Sequence, residues 1–177
     1  VMNYRANPFA MSLRKNAPRI IGVIVPDIVT HFFASILNGI ENMAIANGYF
    51  VIITTSHESY EHEKRNIENL VNMRVEGIIA CLSQETMDYS HFSALKDINM
   101  PLIMFDRVCL TDQFSSVIAD GVQSAQMATQ HLLDNGSKRV AFIGGANHLD
   151  IVKKRKHGYL EALRDNRIPI EKELVVC

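Results

Sequence analysis

No run of the sequence is apolar for the roughly 18–20 residues that a membrane span requires. The first residues, Val1 to Pro8, are polar and aromatic, without the apolar stretch of a signal peptide. A membrane anchor and a secretory leader are therefore not expected, and the cytoplasm is the expected compartment. An excess of one charge is lacking as well: 18 Lys and Arg stand against 19 Asp and Glu. A free-standing nucleic-acid binder ordinarily carries a basic excess, because phosphate neutralisation supplies most of its affinity. If this chain acts on DNA, another part of the protein must bring the charge. Cysteine is scarce and odd in number, and Cys81, Cys109 and Cys177 show no paired spacing. That excludes a disulfide framework and a CxxC metal knuckle, and reads as buried free thiols.

Catalytic motifs are missing too. There is no GxGxxG after a strand, no GxxxxGK[ST] loop, no GxSxG elbow and no HExxH. Gly144–Gly145 is too short a turn to argue for a phosphate cradle by itself. His57 and His62 lie among Glu58, Glu61 and Glu63, but a solvated helix face accounts for them better than a metal site. No enzyme, no metal and no cofactor is expected.

What is present is a regular alternation. Hydrophobic residues make up 47% and charged residues 21% of the 177, the proportions of a folded globular chain. That length suits one large domain or two small α/β lobes, and the missing initiator methionine leads us to expect a fragment. Ile20–Val25 is an apolar run ended by Pro26, as in a strand buried on both faces. Phe33, Ile36, Leu37, Ile40, Met43 and Ala44 then recur at helical spacing, with Gly48 at a C-cap position. Further strands are expected at Tyr49–Ile53, Gly77–Leu82, Leu102–Phe105, Ser116–Ala119, Arg139–Ile143 and Leu174–Val176. Helices are expected over 61–73, 92–98, 123–135 and 151–165. Strand and helix in alternation with short connections mean parallel sheets with right-handed crossovers, a doubly wound α/β fold.

In such folds ligands bind outside the carboxyl ends of the strands. The residues expected there are Asp27, Thr54–Ser56, Ser83, Asp106–Arg107, Asp120 and Gly144–Gly145. Carboxylates and a guanidinium suit a small hydroxyl-rich molecule, since each can make two hydrogen bonds to neighbouring groups. An aspartate after a strand is also an ordinary turn former or helix N-cap. Recurrence at one sheet edge is what favours a binding site.

Several blocks together resemble the lac-repressor (LacI/GalR) family of transcription regulators. They are Tyr4–Arg14, Ile21–Asp27 with Phe32-Phe33 and Gly39-Ile40-Glu41, Arg74–Ile79, Pro101–Arg107, His131–Leu133, Lys138–Gly145 and Arg155–Tyr159. The resemblance implies a periplasmic-binding-protein-like (type I) core of two doubly wound lobes. Residues 1–19 would be a hinge from a DNA-binding headpiece, 20–119 the first lobe, and 120–177 part of a second, incomplete one. It implies an effector, a sugar or nucleobase, held between the lobes by Asp27, Phe32, Phe33, Cys81, Asp106, Arg107, Asp120 and Arg155. Periodicity marks Phe33 as core, so Phe32 carries more of that expectation. Asn7 and Leu13 would serve the hinge, with Leu13 wedging into the operator's minor groove. Met11 and Gly121 depart from the family's usual arginine and asparagine. The function implied is repression by a homodimer whose operator affinity an effector alters. The alternatives are a periplasmic sugar-binding transport protein, which would have no hinge block, and an enzyme on the same fold.

Overall fold

The structure, a computed structural model, describes residues 19–177. Asn7 and Leu13 lie outside the described residues. The chain divides into two compact units, one holding the residues up to Phe105 with Cys109–Ser116, the other Asp106–Val108 and Val117–Cys177. The division thus falls at Val117, where 119/120 was expected, and the short piece after the fourth strand goes with the second unit.

The first unit is built on a sheet of order β2-β1-β3-β4-β5. Its strands are β1 (Ile20–Val25), β2 (Phe50–Thr55), β3 (Gly77–Ala80), β4 (Leu102–Phe105) and β5 (Ser115–Val117). β1 pairs in parallel with β2 and with β3, and β3 with β4. Burial of five of the six residues of β1 explains its unbroken apolar run. Helix α1 (His31–Ala46) turns Phe33 and Leu37 onto Val23, Val25, Cys81 and Phe105. Helix α2 (Tyr60–Asn72) buries Glu63, Ile67 and Leu70 at intervals of four and three. Leu70 lies so close to β1 that a Cβ on Gly22 would come 2.6 Å from Leu70 Cδ1. Helix α3 (Ser90–Asp97) adds Phe92 and Leu95 to the core.

The second unit has helices α4 (Gly121–Asp134) and α5 (Asp150–Asp165) and a parallel pair, β6 (Phe142–Ile143) and β7 (Val175–Val176). Only two residues of the expected strand Arg139–Ile143 are paired, because β7 meets it at Phe142 and Ile143 alone. Its core is Val140, Tyr159 and Leu163, with the Tyr159 hydroxyl donating to the Val140 carbonyl at 2.9 Å. α4 and α5 cross at Gly158, where a Cβ would fall 2.0 Å from the Val122 carbonyl oxygen. Gly136 follows α4 at φ 91°, a left-handed exit natural to glycine.

Candidate functional site

The strand order locates the ligand-binding edge. The chain leaves β1 for β2 on one side and then crosses to β3 on the other, so the connections after β1 and β3 diverge. On a doubly wound sheet that switch point, at the carboxyl ends, is where a crevice opens. Asp27 follows β1 there, and Cys81–Ser83 follow β3.

Asp27 has an evident local role. Its Oδ1 accepts the amides of Val29 and Thr30 at 2.8 and 3.0 Å, closing the turn into α1. Phe32, on the first turn of α1, is 50% exposed and stacks edge-on against Phe33 at 5.2 Å. Phe33 itself is buried in the core, with its ring edge-on to both Phe32 and Phe105. Cys81 is buried as well. It is 0% exposed, and its side chain belongs to the core that α1 covers. The strand-end position that suggested a lining role does not reveal which way the side chain turns. Cys109 is also buried, with its Sγ 3.6 Å from Met104 Sδ. Burial, aided by the charge of Glu63, pushes its thiol up to about 12.

In the second unit, Asp106 and Arg155 fall within electrostatic reach of each other. Asp106 sits immediately after β4 with φ 57°, a left-handed conformation aspartate tolerates better than most residues. Its amide donates to the Val117 carbonyl at 3.1 Å, which holds the turn in place. Burial raises the Asp106 carboxyl above the usual range, and the positive charges of Arg107 and Arg155 oppose that rise. Arg155 projects from the second turn of α5, exposed, and its neighbour Lys154 is paired with Asp150 at 2.7 Å. The small size of Gly121 lets α5 come close: a Cβ there would lie 3.3 Å from Lys154 Cβ and 3.6 Å from Arg155 Cγ. Asp120 caps α4, its Oδ1 accepting the amides of Val122 and Gln123 at 3.0 Å each. Asp106, Val108, Ile118, Gly121, Asp150 and Lys154 line a small recess in this unit.

Sequence reasoning missed one group altogether. Glu63, expected on a solvated face, is 0% exposed, whereas His57, Glu61 and His62 are exposed as expected. Its carboxylate accepts the Ser83 amide at 2.6 Å, the Thr86 hydroxyl at 2.7 Å and His91 Nε2 at 2.9 Å. Ser83 Oγ donates to Ser56 Oγ at 2.7 Å, joining the ends of β2 and β3. The one available signal was Glu63 sharing the helical phase of Ile67 and Leu70. Among the described residues no group of His, Cys, Asp and Glu could hold a metal ion. No helix among them is long and apolar enough to cross a membrane.

Comparison with known proteins gives a consistent set. The family model described as periplasmic binding proteins and sugar binding domain of the LacI family matches residues 19–176. Catabolite control protein A of Priestia megaterium is 32% identical over 180 residues, covering 99% of this chain and 52% of that protein. The transcription regulator CcpA of Lactococcus lactis superposes with a TM-score of 0.80 at 28% identity, over 89% of this chain and 57% of that one. The Cra transcriptional dual regulator of Pseudomonas putida, solved with fructose 1-phosphate, gives a TM-score of 0.77 at 27% identity, over 82% and 54%. These relatives are regulators rather than enzymes. The chain spans about half the length of the curated relatives it matches.

Proposed function

The chain belongs to the family of periplasmic binding proteins and LacI-type sugar-binding domains, and on that premise we propose that it is the effector-sensing core of a transcription repressor. The observation that carries the proposal is the Asp106–Arg155 pair: a half-buried carboxylate in left-handed backbone after a strand, with an exposed guanidinium in electrostatic reach. Strained backbone beside a perturbed ionisable group is typical of binding sites. Both groups offer paired hydrogen bonds to a polyol or a sugar phosphate. Phe32 offers an exposed aromatic face to a sugar or base ring, and Asp27, Arg107 and Asp120 complete the proposed polar lining. Phe33, edge-on to Phe32, and Cys81 belong to the same proposed set.

Effector binding would alter operator affinity by reciprocal coupling, typically about 1–3 kcal/mol. Contact with DNA would run through a headpiece and through the hinge residues Asn7 and Leu13. A Leu13→Ala change that weakens operator binding and leaves effector affinity intact is the expected result; equal loss of both refutes the hinge role. The proposed assembly is a homodimer in the cytoplasm. Support for the dimer comes from exposed Met43, Ile45, Phe50 and Ile53 on α1 and edge strand β2, and from Met73 just after α2. Sedimentation of the full-length protein at micromolar concentration checks it, a strict monomer counting against it.

The central experiment is a thermal-shift screen of the full-length protein with sugars, sugar phosphates and nucleobases. A ligand at 100 times its dissociation constant stabilises its site by about 2.7 kcal/mol. A transport protein would bind ligand equally well but without any change in operator affinity, so the same ligands are then added to an operator-binding assay.

A further inference from the structure

The buried carboxylate of Glu63 is expensive to place without water unless its partners are worth the cost. Its partners Ser83, Thr86 and His91 lie in one segment, residues 83–91, which runs from the end of β3 into α3. Its first residue, Ser83, stands at the β1/β3 switch point. A second carboxylate works beside it: Glu58 accepts the Gln84 amide at 2.7 Å. Two consecutive amides, Ser83 and Gln84, are thus held by two acidic side chains from the β2–α2 region. Glu58 itself, with His57, occupies left-handed backbone at φ 60° and 51°. The Ser83–Ser56 hydroxyl bond closes the third connection. His91 is packed between the Tyr60 and Phe92 rings at 5.2 and 4.3 Å, so its Nε2 has little freedom to leave Glu63.

We propose that Glu63 is a positioning residue for the ligand site: its carboxylate sets the conformation of segment 83–91 and so fixes the backbone that borders the switch point. This rests on the effector reading above only for its consequence, tighter or looser ligand binding, and not for the positioning itself. Charge-assisted bonds to two hydroxyl or ring donors and one amide are individually among the stronger protein hydrogen bonds. An apolar residue at this position of α2 could pack with Ile67 and Leu70 but would leave the Thr86 hydroxyl and His91 Nε2 without their acceptor. What an apolar residue cannot supply is an acceptor for the Ser83 amide.

The test compares Glu63→Gln and Glu63→Met in the full-length protein by amide hydrogen exchange. Glutamine can turn its oxygen to the Ser83 amide and its NH₂ to Thr86 Oγ and to His91 in the tautomer protonated at Nδ1. Protection at Ser83 and Gln84 is therefore expected to stay within about threefold of wild type in Glu63→Gln and to fall about tenfold or more in Glu63→Met. The α2 amides of Ile67 and Leu70 should change little in either. Wild-type protection of Ser83 in Glu63→Met overturns the proposal. So does a uniform loss of protection across α2 and the segment, which would make Glu63 simply part of the core. D-ribose, fructose 1-phosphate and adenine then serve as probes in thermal shift. A probe that stabilises wild type and Glu63→Gln but not Glu63→Met extends the proposal to binding. A wild type that none of them stabilises counts against the effector reading and leaves the exchange result to decide the positioning.

Discussion

Two helical glycines should respond to alanine with opposite signs. At Gly158 an added Cβ would lie 2.0 Å from the Val122 carbonyl oxygen, 2.9 Å from its carbonyl carbon and 3.1 Å from the Gln126 nitrogen. All three are backbone atoms of α4, so no side-chain rotation relieves the clash. A carbon-to-oxygen contact needs about 3.3 Å, so α5 must withdraw by roughly 1.3 Å at the crossing. A gap of about 0.5–1 Å already forfeits a quarter to a half of each dispersion contact along the interface. Overpacking of this kind costs about 1–3 kcal/mol and occasionally more, while alanine returns about 1 kcal/mol of helix propensity. With a backbone clash the upper end applies, and Gly158→Ala should destabilise the second unit by about 2 kcal/mol net. At Gly39, on the exposed side of α1, an added Cβ meets nothing within 4 Å. Gly39→Ala should therefore gain about 0.5–1 kcal/mol. Urea unfolding by far-UV circular dichroism, with hydrogen exchange to assign the change to α4 and α5, measures both. If Gly158→Ala is as stable as wild type, the close crossing does not exist.

Arg155→Ala should weaken effector binding by about 1.5–3 kcal/mol in calorimetry with a ligand found by the screen, the usual worth of hydrogen bonds to a charged group. Unchanged affinity there, with loss on removing Lys153, would shift the assignment along α5. Asp106 has a carboxyl raised by burial, so the folded state binds its proton more readily than the unfolded chain. Its contribution to stability is full below the ordinary carboxylate range and is lost as pH rises through the raised value. Asp106→Asn, which keeps the left-handed backbone, should flatten that fall just above the ordinary range; an unaltered pH profile refutes the burial argument. Of the three thiols, Cys177 is exposed while Cys81 and Cys109 are buried. In the 177-residue chain, a maleimide at pH 8 should label Cys177 fast, and the other two only after denaturation. Rapid native labelling of Cys109 would contradict a thiol held near 12.

How much of this was legible from the sequence follows from which forces are local. β1 and β4 were read to the residue, Ile20–Val25 and Leu102–Phe105, because a short apolar run between polar breakers has few other fates. α1 and α5 were read nearly as well, since helical spacing, and for α1 the following Gly48, are contained within one segment. The family was legible for a similar reason: its blocks keep their order along the chain. Pairing partners are not local. Arg139–Val140 have the composition of a strand, yet the mate that would extend the pairing is not beside them, and only Phe142 and Ile143 pair. Side-chain direction is not local either. Cys81 and Ser83 are neighbours at one strand end, but Cys81 turns into the core beneath α1 while Ser83 bonds to Glu63 and Ser56.

The order of apolar runs, caps and glycines determined an alternating α/β chain, the placement of its helices, and the polar residues that follow its strands. Those properties depend on periods of two and 3.6 residues and on neighbouring backbone donors, all contained in a few consecutive positions. Tertiary structure alone decided that Glu63 is buried, that Cys81 turns into the core with Phe105, and that Asp106 packs with the unit carrying Arg155. Each depends on what a distant segment brings: three donors from residues 83–91, the ring of Phe105, the carbonyl of Val117. Desolvation of a carboxylate costs energy that only such partners can offset, and they meet it only once the chain has folded.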